Sequence, residues 1–131
     1  MSNFTETMLI VGGVFNLGFA VFHLMFWQLF RWKKDLASLT LINRSTMQIL
    51  NLCLTFVFLV MAYVSFFHGP ELIQTGLGKT ILAASSLFWF LRMVEQVIFF
   101  GLKNKLSVAF TLVFLLGSVI YLVPFLRAMP Y

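Results

Sequence analysis

Several side chains that can titrate or form hydrogen bonds occur inside otherwise apolar runs of the sequence. In hydrocarbon such groups are costly unless they face inward and find partners, so they mark sites of structure or function. Histidine can titrate or coordinate, arginine can hold an anionic or carbonyl group, and glutamate can relay a proton. The candidate ligand-binding or polar-network residues are His23, Gln48, Asn51, Arg92, Glu95, Gln96 and Thr111. No catalytic residue is assigned among them.

The spacing of these residues predicts that they share helix faces. Gln48 and Asn51 are three residues apart, and Arg92 precedes Glu95 and Gln96 by three and four residues, which are neighbouring positions on a helix. A rise of 1.5 Å per residue places the candidates in one layer, roughly 10 Å from the predicted helix ends. The spacing of Arg92 and Glu95 also predicts an ion pair along the helix.

Two interpretations of this polar layer stay open. It can be a ligand, ion or proton site in which His23, Arg92 and Glu95 act together. It can equally be a satisfied hydrogen-bond network that fixes how the helices pack, since such bonds commonly join helices in membranes.

The elements that would position these residues follow from composition. The chain has 131 residues, of which 61% are hydrophobic and 10% charged, whereas a soluble domain is about a quarter charged. Four apolar runs, at about 7–30, 44–67, 80–100 and 106–126, are long enough to cross a hydrocarbon core of about 30 Å. We therefore predict an all-α integral membrane four-helix bundle with short loops, forming a single transmembrane domain over residues 1–131.

The basic residues predict an orientation. The connectors at 31–44 and 101–105 hold six of the nine Lys and Arg residues, namely Arg31, Lys33, Lys34, Arg44, Lys103 and Lys105. The opposite side holds Lys79 and Arg127. The positive-inside rule then places both connectors in the cytoplasm and both termini outside, in a bacterial inner membrane or a plasma membrane. The first connector could also contact anionic lipid headgroups.

The sequence contains no pattern of residues that is typical of a metal or cofactor site. His23 and His68 are predicted roughly 20 Å apart along the membrane normal, so they cannot share one metal ion. Neither a metal nor a cofactor is predicted, although haem binding through His23 alone is left open. The net charge of +5 is explained by topology, so nucleic acid is not an expected partner.

Three functions are compatible with these features. The small size favours an accessory or structural subunit of a membrane complex, or a homo-oligomer, with no enzymatic activity. A second possibility is a membrane enzyme or binder of a lipid-soluble molecule such as a quinone, sterol or haem, using His23, Arg92 and Glu95. The third is a small dimeric transporter or channel with the polar layer as its substrate site.

Overall fold

The computed structural model describes residues 3–128, and every regular element within them is helical. Four of the helices are long and apolar enough to cross a membrane by length and composition, as predicted. They are joined by three short helices and one 3₁₀ turn. In chain order the elements are α1 (Asn3–Leu24), α2 (Phe26–Leu29), α3 (Trp32–Asp35), the turn Leu36–Ser38, α4 (Leu41–Phe67), α5 (Gly69–Gln74), α6 (Gly76–Phe100) and α7 (Lys105–Arg127).

The first long helix is shorter than the sequence predicts. It ends at Leu24 rather than near residue 30, and the chain continues as α2 and α3. Arg31, between them, has a left-handed backbone with φ of 52°, which costs an L-residue about 1–2 kcal/mol. The turn brings the Trp32 ring within 5.2 Å of Trp27 and 5.5 Å of Phe26, measured between ring centroids. Aromatic contacts therefore accompany the left-handed backbone at Arg31.

The predicted polar connector before the third long helix is itself helical. Pro70 lies in the first turn of α5, where its missing N–H costs nothing. The Thr75 hydroxyl accepts a hydrogen bond from the Gly78 backbone N–H at 2.9 Å and so caps α6. This cap starts α6 at Gly76, four residues earlier than predicted.

The chain divides into two compact units. The first comprises Met1–Gly12 and Ser65–Tyr131, of which residues 3–12 and 65–128 are described, and the second is Gly13–Val64. In the first unit α6 packs against α7, with the Trp89 and Phe114 rings stacked at 6.0 Å. Gly78 has no room for a side chain, because an added Cβ would overlap the Glu71 carbonyl oxygen and Leu72. That close approach seats α5 against α6.

The core of the second unit is largely aromatic. The buried rings of Phe19 and Phe58 lie 5.9 Å apart, which joins α1 to α4. Trp32 and Leu36, from the segment between these helices, are also buried. The core of this unit thus consists largely of aromatic and aliphatic contacts, which is consistent with the scarcity of charged residues in the sequence.

The outward faces of the long helices are apolar. Each exposes large hydrophobic side chains, and Phe99 on α6 is 80% exposed. The single cysteine, Cys53, is exposed on α4. Exposed apolar side chains in this number are unfavourable in water, and they fit the length and composition of membrane-spanning helices.

Candidate functional site

His23 and Asn51 form a reciprocal pair within the second unit. The Nδ1 atom of His23 on α1 lies 2.7 Å from the Asn51 Oδ1 atom on α4. The Asn51 amide nitrogen donates in turn to the His23 backbone carbonyl at 2.9 Å. Asn51 is buried and His23 is half-buried. The two predicted site residues therefore act as one unit that joins α1 to α4.

This pair determines how the histidine ring carries its proton. Since the Asn51 nitrogen is used as a donor to the carbonyl, its oxygen faces the ring and must accept. Nδ1 therefore carries the hydrogen, and in the neutral ring the lone pair is on Nε2. Holding one ring nitrogen by a fixed acceptor is how proteins orient a histidine that acts through its other nitrogen.

The surroundings of His23 are aromatic. Its ring centroid lies 4.3 Å from that of Phe26 and 5.2 Å from that of Phe58. Phe22 contacts it edge-on at 5.9 Å. We call His23, Asn51 and these three rings the histidine cluster. It provides one polar pair in an apolar setting.

Gln48 forms a second link between the helices of this unit. The Trp27 indole N–H donates to the Gln48 side-chain oxygen at 3.0 Å. The Gln48 nitrogen donates to the Arg44 carbonyl at 3.1 Å. One turn further along α4 than Asn51, the Thr55 hydroxyl donates to the Asn51 carbonyl. The polar face predicted for this helix is thus engaged in hydrogen bonds.

Arg92 and Gln96 belong to a chain of hydrogen bonds in the first unit. Arg92 on α6 donates to the Gln96 side-chain oxygen at 3.2 Å, and the Gln96 nitrogen donates to the Ser107 hydroxyl at 3.0 Å. Ser107 on α7 donates to the Gly101 carbonyl at 2.6 Å. We call this sequence of bonds the arginine chain. It ties α6, the turn after it and α7 together.

The Arg92 guanidinium does not pair with Glu95 as the spacing predicts. No Arg92–Glu95 ion pair within 4.0 Å occurs in residues 3–128, although the carboxylate is close enough for an electrostatic attraction. Arg92 instead stacks on the Phe114 ring, 4.4 Å from its centroid, which adds a cation–π interaction. Glu95 is exposed. Arg92 therefore contacts Gln96 and Phe114 rather than the exposed Glu95.

Thr111 donates to the Ser107 carbonyl one turn earlier in α7 at 2.8 Å. Its hydroxyl is therefore used within its own helix, beside the arginine chain. Ser107, which links the chain, lies on the same face as Thr111 but is not among the seven candidates from the sequence. The four-residue spacing of these two residues does predict that Ser107 lies on the polar face of this helix, but it does not distinguish a site residue from other polar residues on that face.

Two further polar contacts join helices in the first unit. The Ser86 hydroxyl on α6 donates to the Ser118 carbonyl on α7 at 2.8 Å. The hydroxyls of Ser65 and Tyr121 lie 2.7 Å apart, and both residues are buried. Ser65 lies near the end of a long apolar run, where a lone serine gives no spacing signal.

In comparisons with known proteins, no family model, no curated protein and no solved structure matches this chain. Within residues 3–128, no group of three or more His, Cys, Asp or Glu side chains is placed to hold a metal ion. What the described side chains offer is one oriented histidine, one arginine with a neutral acceptor, and several interhelical hydrogen bonds.

Proposed function

We propose that this chain is an integral membrane protein with four spans, and that it serves as a structural or accessory component of a membrane assembly, either a homo-oligomer or a complex with other membrane subunits. The exposed apolar faces of α1, α4, α6 and α7 support its insertion, because they would be stabilised by contact with lipid. The proposed orientation keeps both termini outside and residues 31–44 and 101–105 in the cytoplasm.

The observation that carries the structural role is the pairing of polar side chains with one another. His23 bonds to Asn51, Gln96 to Ser107, and Ser86 to Ser118, and each of these bonds joins two long helices. In hydrocarbon, where water cannot compete, such bonds hold helices in one register. Side chains committed to each other in this way favour structural over substrate-binding roles.

Glu95 supports the assembly part of the proposal. It is exposed on α6 among the apolar side chains Leu91, Ile98 and Phe99. Counting from the end of α6, it lies about 8 Å inside the helix. An exposed carboxylate at that depth is unfavourable in lipid. A hydrogen-bond donor from a second copy or another subunit would compensate for it.

The proposal is tested with two copies of the full chain that carry different tags and are expressed together. Alkaline carbonate should leave the chain in the membrane pellet, and mild detergent should release an assembly. Capture through one tag should recover the other tag if the assembly is a homo-oligomer. A larger complex without the second tag would indicate other subunits. A lone monomer in detergent and in nanodiscs would contradict the assembly role.

A Glu95→Gln variant, compared with Glu71→Gln on the exposed part of α5, sharpens this test. Both changes remove one carboxylate from an exposed position. If Glu95 meets a partner, the first variant should change the assembled fraction and the second should not. Equal behaviour of the two variants would remove Glu95 from the assembly surface.

A second candidate function is binding of a lipid-soluble ligand such as a quinone, a sterol or haem at the histidine cluster. The specific observation in its favour is the Nδ1–Asn51 hydrogen bond, which directs the chemistry of the ring to Nε2. An absorption spectrum and native mass spectrum of the gently solubilised protein should then reveal a copurifying molecule that is lost in His23→Ala. Purified protein with no bound molecule, even after incubation with haem or a quinone, would reject this candidate.

A further inference from the structure

A groove with a basic and aromatic lining opens in the second unit, beside the segment between α1 and α4. Its volume is about 560 Å³. The walls include two cations and no carboxylate among the described lining residues. The residues that matter here are Trp27, Gln28, Trp32, Lys33, Arg44 and Gln48. None of them belongs to the histidine cluster or the arginine chain.

The two cations of the groove are incompletely compensated. In the described part of the chain, the Lys33 ammonium makes no hydrogen bond and lies within 4.0 Å of no carboxylate. Arg44 makes one long hydrogen bond, at 3.4 Å to the Leu39 carbonyl, out of the five that a guanidinium can donate. Two cations that share a concave surface repel each other, and an anion between them would relieve that repulsion.

The aromatic wall of the groove is held in place by specific contacts. The Trp27 indole is fixed by its hydrogen bond to Gln48, which is itself bonded to the Arg44 carbonyl. Trp32 meets Trp27 at 72° with centroids 5.2 Å apart. This framework orders the backbone that carries Arg44 before any ligand arrives, which reduces the entropic cost of binding.

We propose that this groove binds the phosphodiester of an anionic phospholipid headgroup. The inference rests on the proposed insertion into a membrane. An arginine fork can bond two phosphate oxygens at once, and lysine adds a point charge. Tryptophan prefers the depth at which headgroups meet hydrocarbon. The groove lies between the ends of two membrane-length helices, where such a headgroup is available. Free inorganic phosphate has the same recognition chemistry and is the alternative source.

The test is native mass spectrometry of the full chain in mild detergent, titrated with dioleoylphosphatidylglycerol and separately with dioleoylphosphatidylcholine. Lys33→Gln removes a groove cation, and Lys34→Gln is its matched control, because Lys34 neighbours it on α3 but does not line the groove. We expect Lys33→Gln and Arg44→Gln each to weaken binding of the anionic lipid by about fivefold. Lys34→Gln should leave it nearly unchanged.

Three outcomes would overturn the proposal. Equal weakening by Lys33→Gln and Lys34→Gln would indicate general attraction to the basic segment. Equal affinity for the two lipids would show that the groove does not distinguish an anionic headgroup from a zwitterionic one. Inorganic phosphate that binds as tightly as the anionic lipid, and displaces it, would assign the groove to a soluble anion.

Two controls keep the result interpretable. Circular dichroism of each variant should show unchanged helix content, and Lys33→Gln, at an exposed position, provides the result if Arg44→Gln fails to fold. Carbonate extraction of the same preparations separates failure of this site from failure of membrane insertion. A chain that stays in the membrane pellet yet shows no lipid preference refutes the headgroup site alone.

Discussion

The hydroxyl groups of Ser65 on α4 and Tyr121 on α7 lie 2.7 Å apart within the first unit. The Tyr121 ring is fully buried, and its oxygen would be 2.7 Å from a Cβ added to Gly12 of α1. A tyrosine can occupy this position because glycine leaves space for its ring and serine satisfies its hydroxyl. The pair therefore combines close packing with a hydrogen bond away from water.

A double-mutant cycle on this pair should show coupling. Ser65→Ala and Tyr121→Phe each remove one hydroxyl without creating a large cavity, and each should lower the free energy of unfolding by about 1 kcal/mol. The coupling energy should be about 0.6 kcal/mol, as for hydrogen bonds between membrane helices. Unfolding of the detergent-solubilised chain by titration with sodium dodecyl sulfate measures all four species. Strictly additive losses would show that the two hydroxyls do not bond.

Two helical glycines should respond in opposite directions to alanine. Gly78→Ala would force α5 away from α6, so we expect a loss of stability of about 1–3 kcal/mol. Gly18 on α1 has no atom within 4 Å of an added Cβ. Gly18→Ala should therefore stabilise the chain by about 0.5–1 kcal/mol through helix propensity. Thermal unfolding of both variants in the same detergent measures these changes. A Gly78→Ala variant as stable as the unmodified chain would contradict the close approach of α5 to α6 at Gly78.

The arginine chain predicts a contrast between two adjacent residues. Gln96→Leu removes both the acceptor of Arg92 and the donor to Ser107, which should cost about 1–3 kcal/mol. Glu95→Gln changes an exposed side chain, and the free energy of unfolding of the monomer should shift by less than about 0.5 kcal/mol. The reverse order of losses would mean that Arg92 depends on the carboxylate rather than on the amide.

Topology can be mapped with single cysteines in a Cys53→Ser background. Gln74→Cys on α5 and Leu102→Cys after α6 are both at exposed positions. With the proposed orientation, a membrane-impermeant maleimide should label the first variant in intact cells. It should label the second only after the membrane is permeabilised. Labelling of Leu102→Cys in intact cells would invert the orientation.

The four long helices were predictable because length and apolar content suffice to define them. The ends were harder, since they depend on local contacts that composition does not reveal. The rings of Trp27 and Trp32 pack against each other across the turn at Arg31, and the Thr75 side chain caps α6 at its early start. In both contacts the two partners are only three to five residues apart in the sequence. Neither contact has a strong sequence signature.

Partner choice within the candidate site was less predictable. Helical spacing brings Gln96 and Glu95 equally within reach of Arg92. Which of them is used depends on how α6 is rotated against α7, and thus on tertiary packing. Hydrogen bonds join His23 with Asn51 in the second unit and Arg92 with Gln96 in the first. Whether the seven candidates form a single layer stays a prediction.

Cys53 lies about 18 Å along α4, a helix about 40 Å long. It is exposed there and is the one cysteine of the sequence. A nitroxide attached to this thiol would report how oxygen and water reach the middle of the helix without any other change to the chain. Two copies could also be joined through it by oxidation only where their α4 helices meet at mid-length. The native thiol can therefore distinguish an oligomer that associates through α4 from one that associates through α6.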